Sequence, residues 1–79
     1  MISKKEEFVT IIKTHEAIIF KITTIYTDTK EDQKDLYQDI VFQLWKSFET
    51  FRNESKISTW MYRVALNTAL TQLKKTKKQ

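Results

Sequence analysis

The stretch that decides the fold is residues 35–70, with the sequence DLYQDIVFQLWKSFETFRNESKISTWMYRVALNTAL. Apolar residues recur at helical spacing on both sides of a polar segment, which predicts two amphipathic helices joined by a loop. Similar periodicity precedes this stretch, and the chain contains neither glycine nor proline. The composition favours helices joined by short loops, so we expect an all-α fold, a compact bundle of three main helices.

The three helices are predicted over about residues 4–27, 31–51 and 58–75. Their starts are marked by short polar side chains, which accept hydrogen bonds from the first free backbone N–H groups of a helix. His15 and Met61 lie within apolar patterns, and we expect both to belong to the core. The expected capping groups are Ser3 with Glu6 in a capping box, Asp28 or Thr29, and Ser58 or Thr59.

The second helix has two contrasting faces. A helical wheel places its apolar residues on one arc, and Asp35, Gln38 and Asp39 on the opposite arc. Phe42 lies in the middle of this polar arc. It is either an incidental exposed apolar residue or an anchor for a partner. The predicted core arc of the third helix consists of Ala65, Ala69, Tyr62, Leu73, Leu66 and Leu70.

The polar arc of the third helix carries Arg63, Asn67 and Lys74 in one row, flanked by Trp60 and Thr71. Arginine and asparagine can contact base edges, lysine neutralises phosphate, and aromatic rings stack on unpaired bases. Basic residues near the end of a helix also interact favourably with the helix dipole without binding anything. The residues alone therefore leave open both a nucleic-acid surface and a merely solubilising surface.

Charge is distributed unevenly along the 79 residues. Residues 1–30 carry five lysines and four acids, residues 31–51 carry two lysines and five acids, and residues 52–79 carry seven basic residues and one acid. The three segments therefore have net charges of +1, −3 and +6, which sum to the +4 of the whole chain. An acidic middle and a basic end indicate two surfaces with different partners.

Several functional classes are disfavoured by composition. The chain has no cysteine and one histidine, which argues against a disulfide or a metal site, and it lacks the glycine of a phosphate-binding loop. No catalytic set of side chains is apparent, so we expect neither an enzyme nor a cofactor. No apolar run reaches the roughly 18 residues of a membrane span, and no export signal is present. A cytoplasmic location is therefore expected.

Residues 35–70 resemble conserved region 2 of bacterial sigma factors, in particular the extracytoplasmic function (ECF) group of the sigma-70 family. The family's Phe-Arg-Gly-Glu-Ser aligns with residues 51–55, and its Trp-Leu-Tyr-Arg-Ile-Ala-x-Asn aligns with residues 60–67. The spacing between these blocks is kept without an insertion. The family pattern Asp-Leu-x-Gln-Glu-x-Phe-x-x-x-Trp is matched by Asp35, Leu36, Gln38, Asp39 and Trp45.

The resemblance implies two partners. The second helix would dock on a coiled coil of the RNA polymerase largest subunit through Asp35, Gln38, Asp39 and Phe42. The loop would capture a base flipped out of the non-template strand of the minus-ten promoter element, and the third helix would lie along that DNA. The expected DNA contacts are Arg52, Asn53, Glu54, Ser55, Lys56, Ser58, Thr59, Trp60, Arg63, Asn67, Thr71, Lys74 and Lys75.

The chain departs from the family pattern in places. Asn53 replaces the usual glycine, and Leu66 replaces a common arginine, which removes one expected phosphate contact. We expect residues 1–75 to form an isolated region 2 domain and residues 76–79 to begin a basic linker, without the family's second helical domain (region 4). An anti-sigma partner and a monomeric state are also expectations from the resemblance. The alternative is a small helical protein-interaction module.

Overall fold

A computed structural model describes residues 3–51 and 56–76 of the chain. These residues form α-helices and contain no strand, which confirms the predicted all-α fold. In the described ranges, no helix combines the length and the apolar character needed to cross a membrane. The helices are α1 (Lys4–Thr14), α2 (Glu16–Tyr26), α3 (Lys30–Phe48) and α4 (Ile57–Thr76).

The single helix predicted over residues 4–27 is divided in two at His15, whose φ of −115° and ψ of 19° are not helical. The His15 N–H still donates to the Ile11 carbonyl, and its Nδ1 lies 3.2 Å from the same oxygen. The Thr14 hydroxyl donates to the Thr10 carbonyl at 2.8 Å. Such side-chain bonds to the carbonyl one turn back often bend helices, and they accompany the break between α1 and α2. His15 is half-buried and hydrogen-bonded, as predicted.

The predicted capping box at the start of α1 is confirmed. The Glu6 N–H donates to the Ser3 hydroxyl, and the Ser3 N–H donates to the Glu6 carboxylate, each at 3.1 Å. The hydrogen bond from the Ser3 backbone, followed by that with its side chain, holds the pKa of Glu6 below its usual value of 4.5. The backbone N–H groups of Ser3 and Glu6 at the start of α1 therefore both have a hydrogen-bond acceptor.

The ends of α3 and α4 differ from the predictions by a few residues. Thr29 caps α3 by accepting a hydrogen bond from the Asp32 N–H at 3.1 Å, as expected. The Lys56 carbonyl accepts from the Trp60 N–H at 3.0 Å, so α4 begins one residue earlier than predicted. The two proposed caps of this helix, Ser58 and Thr59, therefore lie inside its first turn.

The core lies where α3 packs between the other helices. Its buried residues recur four apart along α3 and again along α4, and those of α1 and α2 fill the space between. Met61 is fully buried, as predicted. The buried apolar residues are Phe8, Ile12, Ile19, Ile22, Leu36, Ile40, Leu44, Phe48, Met61, Ala65 and Ala69.

The buried face of α4 is rotated relative to the prediction. Ala65 and Ala69 are buried as expected, but Tyr62, Leu70 and Leu73 were assigned to the core and are exposed, Tyr62 by 50%. The buried face of α4 runs through Met61, Ala65 and Ala69, which are four residues apart and therefore share one side of the helix.

Candidate functional site

The basic row predicted on α4 is present at the surface. Arg63, Asn67, Thr71 and Lys74 are all exposed. In the described part of the chain, no acidic side chain forms a salt bridge with Arg63 or Lys74, since the recorded pair joins two other residues. The helix spans 20 residues, or about 30 Å at 1.5 Å per residue. An extended polyanion can therefore lie along this row of exposed side chains.

The aromatic start of α4 is packed more tightly than predicted. Trp60 was placed at the end of the polar row, but it is half-buried. Its ring stacks on Phe51 with centroids 4.7 Å apart, and it lies 6.1 Å from the ring of Phe48. The Trp60 ring therefore packs against the last residue of α3 and against Phe51 beyond it, so only its remaining exposed part can contact a ligand.

The other predicted DNA-binding residues fall into three groups. Lys56 and Thr59 are exposed, and Ser58 is half-buried. The side chain of Lys75 lies outside the described residues, although its backbone continues α4. The predicted base-capturing residues Arg52, Asn53, Glu54 and Ser55 lie outside the described residues altogether.

The predicted docking face of α3 is exposed as expected. Asp35, Gln38 and Asp39 reach solvent, and Phe42 is 55% exposed. The Lys46 ammonium lies 5.3 Å from the centroid of the Phe42 ring, within cation–π range. A large apolar ring in this polar setting offers a surface for stacking or for hydrophobic contact.

On one side of Phe42, α1 and α3 enclose a groove of about 680 Å³ that we call the apolar groove. The ring of Trp45 packs edge-on against Phe8 with centroids 4.9 Å apart. Burial, and secondarily the charge of Glu16, raises the pKa of the Tyr37 hydroxyl above its ordinary value. The lining residues are Lys5, Phe8, Val9, Tyr37, Gln38, Val41, Phe42 and Trp45.

On the other side of Phe42, α3 and α4 enclose a second groove of about 400 Å³ that we call the polar groove. Gln72 donates a hydrogen bond through Nε2 to Oδ2 of Asp39, 33 residues away in sequence. The acidic surface of α3 and the basic surface of α4, which were predicted to have different partners, therefore adjoin at this groove. The lining residues are Asp39, Phe42, Gln43, Asn67, Thr68, Thr71 and Gln72.

Gln43, Thr68 and Gln72 were not identified from the sequence. Each lies beside the predicted core arc of its helix rather than on the polar arc. A partial signal was present, because Gln43 follows Asp39 by four residues and Gln72 follows Thr68 by four, which keeps polar groups on one side of each helix. In the described ranges, no group of three or more side chains could hold a metal ion.

The sigma-70 region 2 family model matches residues 11–79, which include all of α2, α3 and α4. The chain belongs to the sigma-70 region 2 family. This match confirms the resemblance found in residues 35–70, and it covers all the residues that line the polar groove. The matched family is one of transcription factors rather than of enzymes.

Several curated relatives support the same assignment. The chain is 31% identical over 74 residues to the RNA polymerase sigma factor SigV of Bacillus subtilis, covering 94% of this chain and 45% of SigV. It is 32% identical over 65 residues to the ECF RNA polymerase sigma-E factor of Haemophilus influenzae, covering 82% of this chain and 34% of that protein.

A third relative is the ECF RNA polymerase sigma factor SigG of Mycobacterium tuberculosis, 40% identical over 47 residues, which are 60% of this chain and 13% of SigG. The chain therefore spans less than half the length of these relatives. The predicted kinship with the ECF group is confirmed by the relatives that carry this designation. No solved structure matches the chain significantly.

Proposed function

We propose that this chain is the promoter-recognition domain of an alternative sigma factor. It binds RNA polymerase core through α3 and holds the non-template strand of the minus-ten promoter element along α4. The observation that carries the proposal is the exposed row of Arg63, Asn67 and Lys74 on the last helix of a sigma-70 region 2 domain. A polyanion is the ligand class that such a row fits.

The proposed DNA face extends from the start of α4 to its basic end. Lys74 and Arg63 neutralise phosphates, while the amide of Asn67 contacts base edges. The family pattern over residues 51–55 supports a base-capturing role for the loop, and Lys56, Thr59 and the exposed part of Trp60 would continue that contact. A flipped base costs a few kcal/mol of stacking, which contacts in a protein pocket partly offset.

The proposed polymerase face is the exposed side of α3. Asp35, Gln38 and Asp39 supply polar contacts, and Phe42 supplies an apolar one at the rim of the apolar groove. An apolar anchor surrounded by polar groups is the usual composition of a protein-binding hot spot. The largest-subunit coiled coil is the expected occupant, and an anti-sigma factor would compete for the same surface.

The proposed DNA binding is tested by titrating the chain with labelled single-stranded oligonucleotides of varied promoter-like sequence at several salt concentrations. Substitution Lys74→Ala should lower the salt dependence of binding by about 0.7 in log–log slope, the value for one phosphate on a single strand. Substitution Asn67→Ala should change the sequence preference by about 1–3 kcal/mol. Lys13→Ala, at an exposed lysine of α1, is the matched control and should leave both unchanged.

The proposed polymerase binding is tested by calorimetric titration of the chain with the isolated coiled coil of the largest subunit. Charge reversal in Asp35→Lys should weaken binding at least tenfold, or about 1.4 kcal/mol. Glu7→Lys reverses an exposed charge on α1 and should have little effect. Equal losses in the two variants would indicate a general charge effect and would count against a docking face on α3.

The second candidate function is a helical protein-interaction module. The apolar groove favours it, because an exposed Phe42 and a Trp45 that is 38% exposed suit an apolar partner. This candidate predicts binding of a partner helix together with an absence of sequence-dependent DNA binding. Sequence preference that disappears in Asn67→Ala would exclude it as the whole function.

A further inference from the structure

A hydrogen-bonded cluster of polar side chains joins the end of α2 to the first turn of α3. The Gln33 side-chain amide donates through Nε2 to the hydroxyl oxygens of Thr23 and Thr24, at 3.3 and 3.1 Å. Within residues 3–51 and 56–76, Thr23 is the one polar residue that is buried. Because a buried polar group is costly unless it is hydrogen-bonded, this contact is the point at which the apolar interior makes a specific polar demand.

The atoms available fix the direction of these hydrogen bonds. The Thr23 hydroxyl donates its hydrogen to the Phe20 carbonyl at 2.8 Å, so its oxygen can only accept a further bond. The nitrogen of the Gln33 amide, rather than its oxygen, must therefore face Thr23. The Thr27 hydroxyl donates to the Thr23 carbonyl at 2.6 Å and so holds the same turn of α2. A donor at position 33 is thus matched to an acceptor at position 23.

The apolar residues of α3 do not by themselves fix how far this helix lies along α2. Its buried residues are Leu36, Ile40, Leu44 and Phe48, which recur every four residues. A slip of α3 by four residues would move each of them by about 6 Å, at 1.5 Å per residue, into the place of the next. Most of the residues that exchange places are similar in size, so hydrophobic burial distinguishes the two registers weakly. Hydrogen bonds distinguish them strongly, because they depend on distance and direction.

A second contact belongs to the same register. The rings of Phe20 and Tyr37 meet edge-on with centroids 5.8 Å apart. Phe20 lies four residues before Thr24, and Tyr37 lies four residues after Gln33, so the two contacts are one turn apart along an antiparallel pair of helices. Phe20 is 52% exposed, so its ring has room to rest on another residue of α3. The ring contact therefore reports the register without enforcing it.

We propose that Gln33 is a positioning residue, whose hydrogen bonds to Thr23 and Thr24 select the register of α3 against α2. A slip of one turn would leave the Gln33 amide without its two acceptors and the buried Thr23 oxygen without its donor. Polar side chains within apolar helix interfaces fix register in this way in coiled coils. The register in turn places Asp35 and Gln38 relative to the neighbouring helices. That consequence rests on the proposed polymerase binding, whereas the register itself does not.

The first experiment removes the donor and measures the register directly. Because the chain has no cysteine, spin labels can be attached only at introduced positions, Lys21→Cys on α2 and Lys46→Cys on α3, which are both exposed. A slip of one turn changes the distance between the labels by up to about 6 Å, which pulsed electron paramagnetic resonance resolves. The parent chain should show one distance.

In Gln33→Leu, which has an apolar side chain, we expect a second distance from at least about a tenth of the molecules, because the two registers should then differ less than tenfold in population. The nuclear Overhauser cross-peak between the Phe20 and Tyr37 rings should weaken by the same fraction. A single unchanged distance in Gln33→Leu would overturn the proposal.

Stability separates a register role from a merely structural one. Replacing both hydrogen-bonding partners by apolar groups of similar shape is often nearly neutral, so Thr23→Val combined with Gln33→Leu should change the unfolding equilibrium constant less than about fivefold. The second distance should nevertheless appear. A larger loss of stability with a single distance would mean that the contact only stabilises the fold, and would contradict the proposal.

Two variants control for the change at position 23. Thr23→Ser keeps the hydroxyl and should keep the single distance, which makes it the conservative rescue. Thr10→Val is the matched control, because the Thr10 hydroxyl also donates to a carbonyl of its own helix, at 3.0 Å, but is exposed on α1. A second distance in either control would count against a specific role of the Thr23 hydroxyl.

A variant of nearly unchanged shape tests the donor alone. Gln33→Glu replaces the amide nitrogen by an oxygen, and an ionised carboxylate only accepts hydrogen bonds. Because the Thr23 oxygen has no free hydrogen to offer, this variant should also populate the second distance. Lys34→Gln changes the net charge by the same amount at the exposed neighbouring position and should keep the single distance. Equal effects of the two variants would assign the result to charge and overturn the donor role.

Binding to the isolated coiled coil of the polymerase largest subunit then connects the register to docking. In Gln33→Leu the apparent dissociation constant should rise in inverse proportion to the fraction of molecules in the native register, about twofold when half of them have slipped. A second distance with an unchanged dissociation constant would overturn the role in docking. If the parent chain does not bind the coiled coil at all, the proposed polymerase binding fails, while the label distances still decide the register on the free chain.

Discussion

The two grooves beside α3 share one wall but differ in chemistry. The apolar groove is closed by α1, which supplies Phe8 and Val9, whereas the polar groove is closed by α4, which supplies amides and hydroxyls. Phe42 lines both grooves and separates them. The neighbouring helix, rather than α3 itself, therefore decides what each side of α3 can bind.

The packing of α4 explains the difference. Ala65 and Ala69 are buried, and the residues of α4 that line the groove beside α3 are the polar Asn67, Thr68, Thr71 and Gln72. On the other side, α1 is held through the large rings of Phe8 and Trp45, which leave an apolar surface open. One helix thus borders an apolar groove and a polar groove that share Phe42.

The largest effect is expected in the core, on the buried face of α3. Ile40 is fully buried between Asp39, which lines the polar groove, and Val41, which lines the apolar one. Ile40→Ala should lower the free energy of unfolding by about 2–5 kcal/mol and disturb both grooves. Urea denaturation followed by circular dichroism measures this. The exposed Phe42→Ala is the control and should cost far less; a comparable loss would mean that Phe42 belongs to the core.

A smaller and one-sided effect is expected from Trp45→Ala. The ring is partly exposed, so its removal should cost about 2 kcal/mol, less than for a fully buried aromatic. Hydrogen exchange should accelerate in α1 while the groove-facing part of α4 stays protected. Tyr62→Ala removes an exposed ring that lines neither groove and serves as the control. Faster exchange throughout α4 in Trp45→Ala would show that the two grooves are not independent.

The capping box gives a pH-dependent test of the same independence. Ser3→Ala should weaken the start of α1 by about 1 kcal/mol and loosen the apolar groove alone. Because folding lowers the Glu6 pKa, its contribution is present above the unfolded value near 4.5 and is lost as pH falls through the lower folded value.

Exchange of the first α1 amides, measured across this pH range, should therefore rise on acidification. Glu6→Gln keeps an acceptor for the Ser3 N–H but does not titrate, so this variant should lose the pH dependence of α1. An unchanged profile in Glu6→Gln would assign the effect to other carboxyl groups.

The smallest effect concerns the salt bridge between Lys4 and Glu49, whose charged atoms are 3.8 Å apart and whose side chains are 53% and 71% exposed. Glu49→Gln should change the free energy of unfolding by less than about 0.5 kcal/mol, and less still at high salt. Denaturation midpoints at two salt concentrations measure this. A loss above about 1 kcal/mol would show that α1 is held electrostatically rather than by its rings.

The sequence predicted the buried face of α3 correctly but not that of α4. On α3 the apolar residues recur at Leu36, Ile40, Leu44 and Phe48, so one face was unambiguous and was confirmed. On α4 apolar residues surround most of the helix, and periodicity could not choose among them. The buried face runs through Met61, Ala65 and Ala69, and it was decided by how α4 packs against the other helices.

The sequence by itself determined the helices, the caps at Ser3 and Thr29, the family, and the two rows of exposed polar residues. These follow from local spacing and from short patterns, which the chain carries along its length. The break at His15 is local but was not predicted from the sequence, whereas the tertiary structure alone decided the rotation of α4 and the meeting of Asp39 with Gln72. Asp39 and Gln72 are 33 residues apart in sequence, so their contact depends on how α3 and α4 pack. The spacing of apolar residues within one helix does not specify that packing.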